Sequence, residues 1–161
     1  MTPRTMKRLT HVDAHGEARM VDVSAKPVSA RQAVARGEIR LRKATVLQIE
    51  SHGLTKGSVL AAARLAGIMA AKQTATLIPL CHPLPLTHCE INFDVPNSQD
   101  RIVITAAVCV TAQTGVEMEA LTAVSLAALT IYDMCKAVDS TMRITGVRLV
   151  SKRKQSAAKS A

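Results

Sequence analysis

The chain has 161 residues, 48% of them hydrophobic, with Phe93 and Tyr132 as its aromatic side chains and no Trp; that is enough for one core of Leu, Ile, Val, Ala and Met. Its net charge of +9 comes mostly from the ends, because residues 44–142 hold five Lys/Arg against eight Asp/Glu. Basic ends with almost no aromatic stacking surface argue against a nucleic-acid partner. Cys81, Cys89, Cys109 and Cys135 form no CxxC pair and the first residues, MTPRTMKRLTHVD, contain no apolar stretch, so reduced thiols and a cytoplasmic setting are expected. The longest apolar-and-hydroxyl run, residues 120–132, falls short of the roughly 20 residues that span a bilayer, and no membrane association is expected.

Residues 1–36 are polar, contain Gly16 and Pro27 and lack periodicity; they read as a flexible N-terminal arm. GEIRLRK (37–43) alternates Ile39 and Leu41 with charges, the pattern of a half-buried strand. A short helix is expected over 45–50. Residues 58–73, SVLAAARLAGIMAAKQ, form a second helix of strong formers without Pro. Pro79, Pro83 and Pro85 then exclude regular helix from 77–86 and leave an ordered loop. Residues 86–95 and 101–112, joined by PNSQD, read as a β-hairpin. Thr114 and Glu117 match a capping box, so a helix is predicted over 115–137. RITGVRLV (143–150) closes the order as a strand. The result is βαββαβ, a ferredoxin-like α+β domain over 37–152 with two helices on a four-stranded antiparallel sheet; residues 153–161 are left as a basic disordered tail. The second long helix is apolar nearly all round, more than one sheet can cover, which points to an obligate oligomer.

Polar residues on that helix are the first candidates for chemistry. Asp133 and Lys136, three apart, are neighbours on its surface. They read either as a local ion pair at a helix end or as an acid/base pair lining a pocket. Glu119 lies 14 residues before Asp133, about 21 Å along the axis, so one small reaction centre on one straight helix cannot touch both. Either the ligand is long or the two groups come from different subunits. Glu117 has a structural reading as the capping-box partner of Thr114. Lys56, beside Gly57 and Ser58 at a helix start, suits a phosphate cradle, although GLTKGS lacks the P-loop frame. Lys72 complements the C-terminal end of its helix unless a pocket opens there. In LIPLCHPLPLTHC, three prolines fix Cys81 and His82 in a loop, with His88 and Cys89 following. A zinc site is the alternative reading, but adjacent Cys81 and His82 do not readily chelate together, and His88 and Cys89 on a strand point to opposite faces. A fixed His among apolar residues suits hydrogen bonding or proton transfer to a ligand. A ferredoxin-like module for RNA or a nucleotide is the competing class.

Several segments together resemble one family. MVDVSAK (20–26), HGLTKGSV (52–59), ARLAGIMAAK (63–72), IPLCHPL (78–84), TGVEMEALTA (114–123) and ALTIYDMCKAV (128–138) are similar to the MoaC-type cyclic pyranopterin monophosphate synthases of molybdenum-cofactor biosynthesis. The resemblance covers about 9–152, with Thr55 where relatives can carry histidine. It implies a homohexamer built as a trimer of dimers, with active sites at the dimer interface. It also implies conversion of 3′,8-cyclo-7,8-dihydro-GTP to cyclic pyranopterin monophosphate and pyrophosphate. Carried over by position, Asp133 is the expected catalytic acid/base with Lys136 beside it. Leu80, Cys81, His82, Glu117, Met118 and Glu119 are expected in substrate-binding segments. Lys56, Lys72 and Lys152 are expected substrate-binding lysines, and Lys26 and Arg31, in the arm expected to order over bound substrate, are expected to bind it as well. No resident cofactor or metal ligand set is implied, and a magnesium ion travelling with the triphosphate is compatible.

Overall fold

The computed structural model describes residues 10–13, 15–51 and 58–155. Strands β1 (Ser29–Arg40), β2 (Leu86–Asp94), β3 (Arg101–Ala112) and β4 (Arg143–Gln155) form one antiparallel sheet in the order β2-β3-β1-β4. Among the described residues there are four helices: α1 (Lys43–Glu50), the short helix expected over 45–50; α2 (Val59–Lys72) and α4 (Glu117–Cys135), the two expected to cover the sheet; and α3 (Thr74–Leu77), which the sequence reading does not contain. Three of them lie in the connection from β1 to β2. The molecule is α+β, with the long helices α2 and α4 packed on each other and on the sheet.

The central strand begins eight residues earlier than its charge alternation predicts and ends at Arg40. Its first half is hidden from a hydrophobicity pattern because the inward positions are small: Ala33 and Ala35 are fully buried, followed by Gly37 and Ile39. Helix α4 comes so close that a Cβ on Gly37 would lie 2.8 Å from Val124 Cγ1. Opposite, β3 directs Ile102, Ile104, Ala106, Val108 and Val110 to the same face, as the period of two requires. The basic segment Lys152, Arg153 and Lys154 is also strand, because β4 continues to Gln155 and pairs with β1 as far as Ala30. Gly146, at φ +64°, lies beside the register shift between Arg36 and Glu38, a bulge conformation that glycine adopts without a Cβ penalty.

The β2–β3 hairpin and α2 form as the sequence reading has them. Ser58 caps α2 by accepting from the Ala61 N–H at 3.3 Å, a standard N-cap contact. The capping box at Thr114 does not form. Helix α4 starts at Glu117, with Val116 in the cap position and no side-chain cap bond, because the Glu117 carboxylate turns instead to Lys152, 3.2 Å away on β4. Helix α4 is also the one helix, among the described residues, long and apolar enough to cross a membrane, longer than the run read from the sequence. Half of its apolar window is buried inside this fold, with Ala120, Ala123, Val124, Ala127, Ala128 and Ile131 all in the core. Leu65, Met69 and Leu129 remain exposed on the two long helices.

Two features hold α4 in place. At its crossing with α2, a Cβ on Gly67 would run into Ile91 Cδ1 and come within 2.8 Å of the Ala123 carbonyl. Just beyond its C-terminal end, Asp139 is completely buried and ties two chain segments together. Its Oδ2 accepts from the Arg42 backbone N–H at 2.8 Å and the Thr45 hydroxyl at 3.2 Å, while Oδ1 accepts from the Thr141 hydroxyl at 2.7 Å and its N–H at 3.0 Å. The Arg42 side chain adds an ion pair at 3.3 Å and donates to the Val138 carbonyl. Burial pushes the Asp139 carboxyl up, but these donors outweigh it and hold the pKa at about 2.

Two outcomes follow for stability. Gly67→Ala should gain about 1 kcal/mol of helix propensity yet lose more, roughly 1–3 kcal/mol, from the forced separation of two helices. Thermal unfolding should show a lower midpoint; a raised one would mean that α2 and α4 have room to spare. Because the folded pKa of Asp139 lies below the ordinary carboxyl value of 3.8, its contribution is complete above about pH 4 and disappears as pH falls through about 2. The shift corresponds to roughly 2 kcal/mol. Denaturant unfolding from pH 5 to pH 2 should therefore fall more steeply for the wild type than for Asp139→Asn, and parallel curves would remove this clasp from the account.

Candidate active site

The proline-rich loop after α3 places Leu80, Cys81 and His82 on one side of a cavity of about 450 Å³, and the first turn of α4 places Glu117, Met118 and Glu119 on the other. Lys152 of β4 and Lys26 of the N-terminal segment complete the charged lining. Eight residues expected from the sequence thus converge on one recess. Thr10, His11, Val21 and Val23 also line it. Val21 and Val23 fall within the MVDVSAK segment, whereas nothing in the pattern around Thr10 or His11 singled them out.

Each wall has a local cause. The Cys81 N–H donates to the Ile78 carbonyl at 3.0 Å, closing a turn between Pro79 and Pro83. Nε2 of His82 lies 2.9 Å from the Val21 carbonyl. A carbonyl can only accept, so Nε2 carries the hydrogen, and in the neutral ring Nδ1 is left as the acceptor. This bond also pins the N-terminal segment over the recess. Gly115 lines the same cavity, and the Glu117 carboxylate folds into the space that a Cβ there would take.

Glu119 is the most unusual group of the site. It is 4% exposed and lines both the main cavity and an adjoining recess of about 370 Å³ that contains Lys72. Burial raises its pKa; its own backbone N–H opposes this, and the negative charge of Glu117 adds to it. The carboxyl is therefore readied to hold or release a proton near an incoming ligand. Cys81 is raised by burial and then by the charge of Glu119, so it remains a thiol at neutral pH and is a poor nucleophile. Lys26 and Lys152 provide positive charge against Glu117 and Glu119, a mixed lining suited to a ligand with both N–H groups and phosphates.

The remaining expected residues lie elsewhere. Arg31 borders a neighbouring recess of about 300 Å³ with Glu117 and Lys152; its Nε and Nη2 donate to the Ala112 and Gln113 carbonyls at 3.1 and 2.8 Å. Lys56 lies outside the described residues. Asp133 and Lys136 stand at the far end of α4, 14 residues beyond Glu119 and about 21 Å away along the axis. They are 67% and 59% exposed and form an ion pair of 2.6 Å. The hydrogen bond to Asp133, and then its charge, raise the Lys136 pKa. Within a single chain, then, the pair is a local one and the cavity does not contain it. Among the described residues, no three His, Cys, Asp or Glu side chains come together as metal ligands.

A protein of Chloroflexus aggregans named cyclic pyranopterin monophosphate synthase is 60% identical over 149 residues, covering 92% of this chain and 90% of its own. Proteins of the same name from Roseiflexus sp. and Rhodospirillum rubrum are 56% and 55% identical, each over at least nine-tenths of both chains. The model of the MoaC family matches residues 20–155, a span that includes all of the cavity except Thr10 and His11. With its sheet, its proline-rich loop and the first turn of α4 inside that span, the chain belongs to the MoaC family.

Proposed function

We propose that this chain is an enzyme of molybdenum-cofactor biosynthesis that converts 3′,8-cyclo-7,8-dihydro-GTP to cyclic pyranopterin monophosphate with release of pyrophosphate. The observation that carries the reading is the convergence of the 80–82 and 117–119 segments with Lys26 and Lys152 on one cavity, in a chain that matches synthases of that name along nearly its whole length.

The chemistry fits these groups. Opening and reclosing the pterin rings requires protons to be taken and returned, and forming the cyclic phosphate expels pyrophosphate from the triphosphate. Glu119 and His82 border the cavity where a ring system would lie, and Lys26, Lys152 and, from the adjoining recess, Lys72 can stabilise negative charge on the phosphates. We assign Asp133 and Lys136 as the principal acid/base pair and Lys56 as a further phosphate ligand. Because one chain holds the pair far from the cavity, the complete site takes Asp133 and Lys136 from a second copy. Leu65, Met69 and Leu129, exposed on α2 and α4, are apolar side chains that a partner would cover.

The assembly is a homohexamer built as a trimer of dimers, and each subunit is a ferredoxin-like domain in which α1 and α3 are additions to the first crossover. The enzyme acts in the cytoplasm on a small molecule, without a nucleic-acid or membrane partner. It has no resident cofactor, and any magnesium arrives with the triphosphate.

Incubating the protein with the cyclised GTP precursor should yield pyrophosphate and the cyclic pterin in equal amounts. Asp133→Asn and Lys136→Ala should fold and assemble as the wild type does while losing roughly 10²–10⁴-fold in kcat. Normal turnover in either variant would remove the acid/base assignment, and an inactive wild type would remove the reaction.

A further inference from the structure

Arg31 occupies the helix-facing side of β1, opposite Val110 of β3 and Lys154 of β4. Its side chain donates from Nε to the Ala112 carbonyl and from Nη2 to the Gln113 carbonyl, at 3.1 and 2.8 Å. Two successive carbonyls at the end of β3 are thus gripped by one planar fork, a geometry that a lysine ammonium cannot reproduce. On its other side the same turn is anchored by the Gln113 amide, which donates to the Ser24 carbonyl at 3.1 Å.

What this turn carries explains why its position matters. Two residues past Gln113 comes Gly115, with the Glu117 carboxylate folded against it, and α4 then starts without a side-chain cap. Glu117 in turn meets Lys152 at 3.2 Å, and both line the main cavity. No side-chain cap bond fixes the entry to α4, so the placement of Glu117 against Lys152 depends on how the 112–116 segment is held.

We propose that Arg31 is a positioning residue: by clamping the Ala112 and Gln113 carbonyls it sets Glu117 against Lys152 at the cavity, and it acts through them instead of binding the substrate's phosphates. The proposal rests on the reading of this cavity as the active site, but the clamp itself can be tested without turnover.

The full-length protein is pulsed with acetic anhydride, and acylation of the Lys152 amine is followed by mass spectrometry. In Arg31→Lys and Arg31→Ala the pair loosens and Lys152 should react faster, by about twofold to fivefold as for a half-exposed ion pair. Glu117→Gln should give the same increase, and adding Arg31→Ala to it should give no more. With substrate, both Arg31 variants should lose about tenfold or more in kcat, as for a misplaced site group, while inhibition by pyrophosphate stays within twofold. Arg31→Lys serves as the folded control should Arg31→Ala fail to assemble. Unchanged Lys152 reactivity in Arg31→Lys would overturn the clamp. So would a loss of pyrophosphate inhibition as large as that in Lys152→Ala, since Arg31 would then be a direct anion ligand. An inactive wild type with the acylation pattern intact would overturn the reaction and leave the clamp standing.

Discussion

A straight helix cannot bring its two ends together, and in α4 that constraint decides how the molecule can work. The first turn of this 19-residue helix presents Glu117, Met118 and Glu119 to a cavity, while its last turn and the residue after it present Asp133 and Lys136 to solvent about 21 Å away. Both ends carry charged groups, and the proposed reaction uses both. A reaction needing both must therefore bring the last turn of one copy to the first turn of another. On the proposed acid/base assignment, association of subunits is part of the catalytic geometry, and a lone chain would hold half a site.

The fold is organised to keep that rod rigid. Gly37 lets α4 lie close against the central strand and Gly67 lets α2 lie close against α4, so the helix is packed from two sides by small residues. Beyond its last turn, Asp139 reaches back to the start of α1 and is satisfied by donors from Arg42, Thr45 and Thr141. A buried carboxylate is tolerated there because its donors are already in place. These contacts transmit nothing by themselves. They fix the direction in which each end of α4 points.

Much of this was legible in the sequence where the cause is local. The prolines of the 77–86 loop, the PNSQD turn between β2 and β3 and the uninterrupted apolar helices all pointed to the right elements. Counting residues from Glu119 to Asp133 was enough to see that one small reaction centre on one helix could not touch both. Contacts between distant segments were not legible. Thr114 and Glu117 have the spacing of a capping box, yet the partner of Glu117 is Lys152, 35 residues on. Ala33 and Ala35 look unlike core residues until α4 is laid over them. Asp139 has no motif around it, because its partners Arg42 and Thr45 lie 97 and 94 residues away. His11 reaches the cavity on an N-terminal segment that the His82 ring contacts at Val21, a long-range contact with no local signal.

The central claim, a site divided between the two ends of α4 in different copies, can be measured by complementation. Asp133→Asn and Glu119→Gln chains, each inactive alone, are unfolded together, refolded as mixed assemblies and assayed for pyrophosphate release. If each site draws Asp133 from one copy and Glu119 from its partner, half of the randomly formed pairs contain one intact site, and about a quarter of the wild-type activity should return. If both groups act within one chain, every site keeps a defect and the mixture stays as inactive as its parents, which would contradict the account.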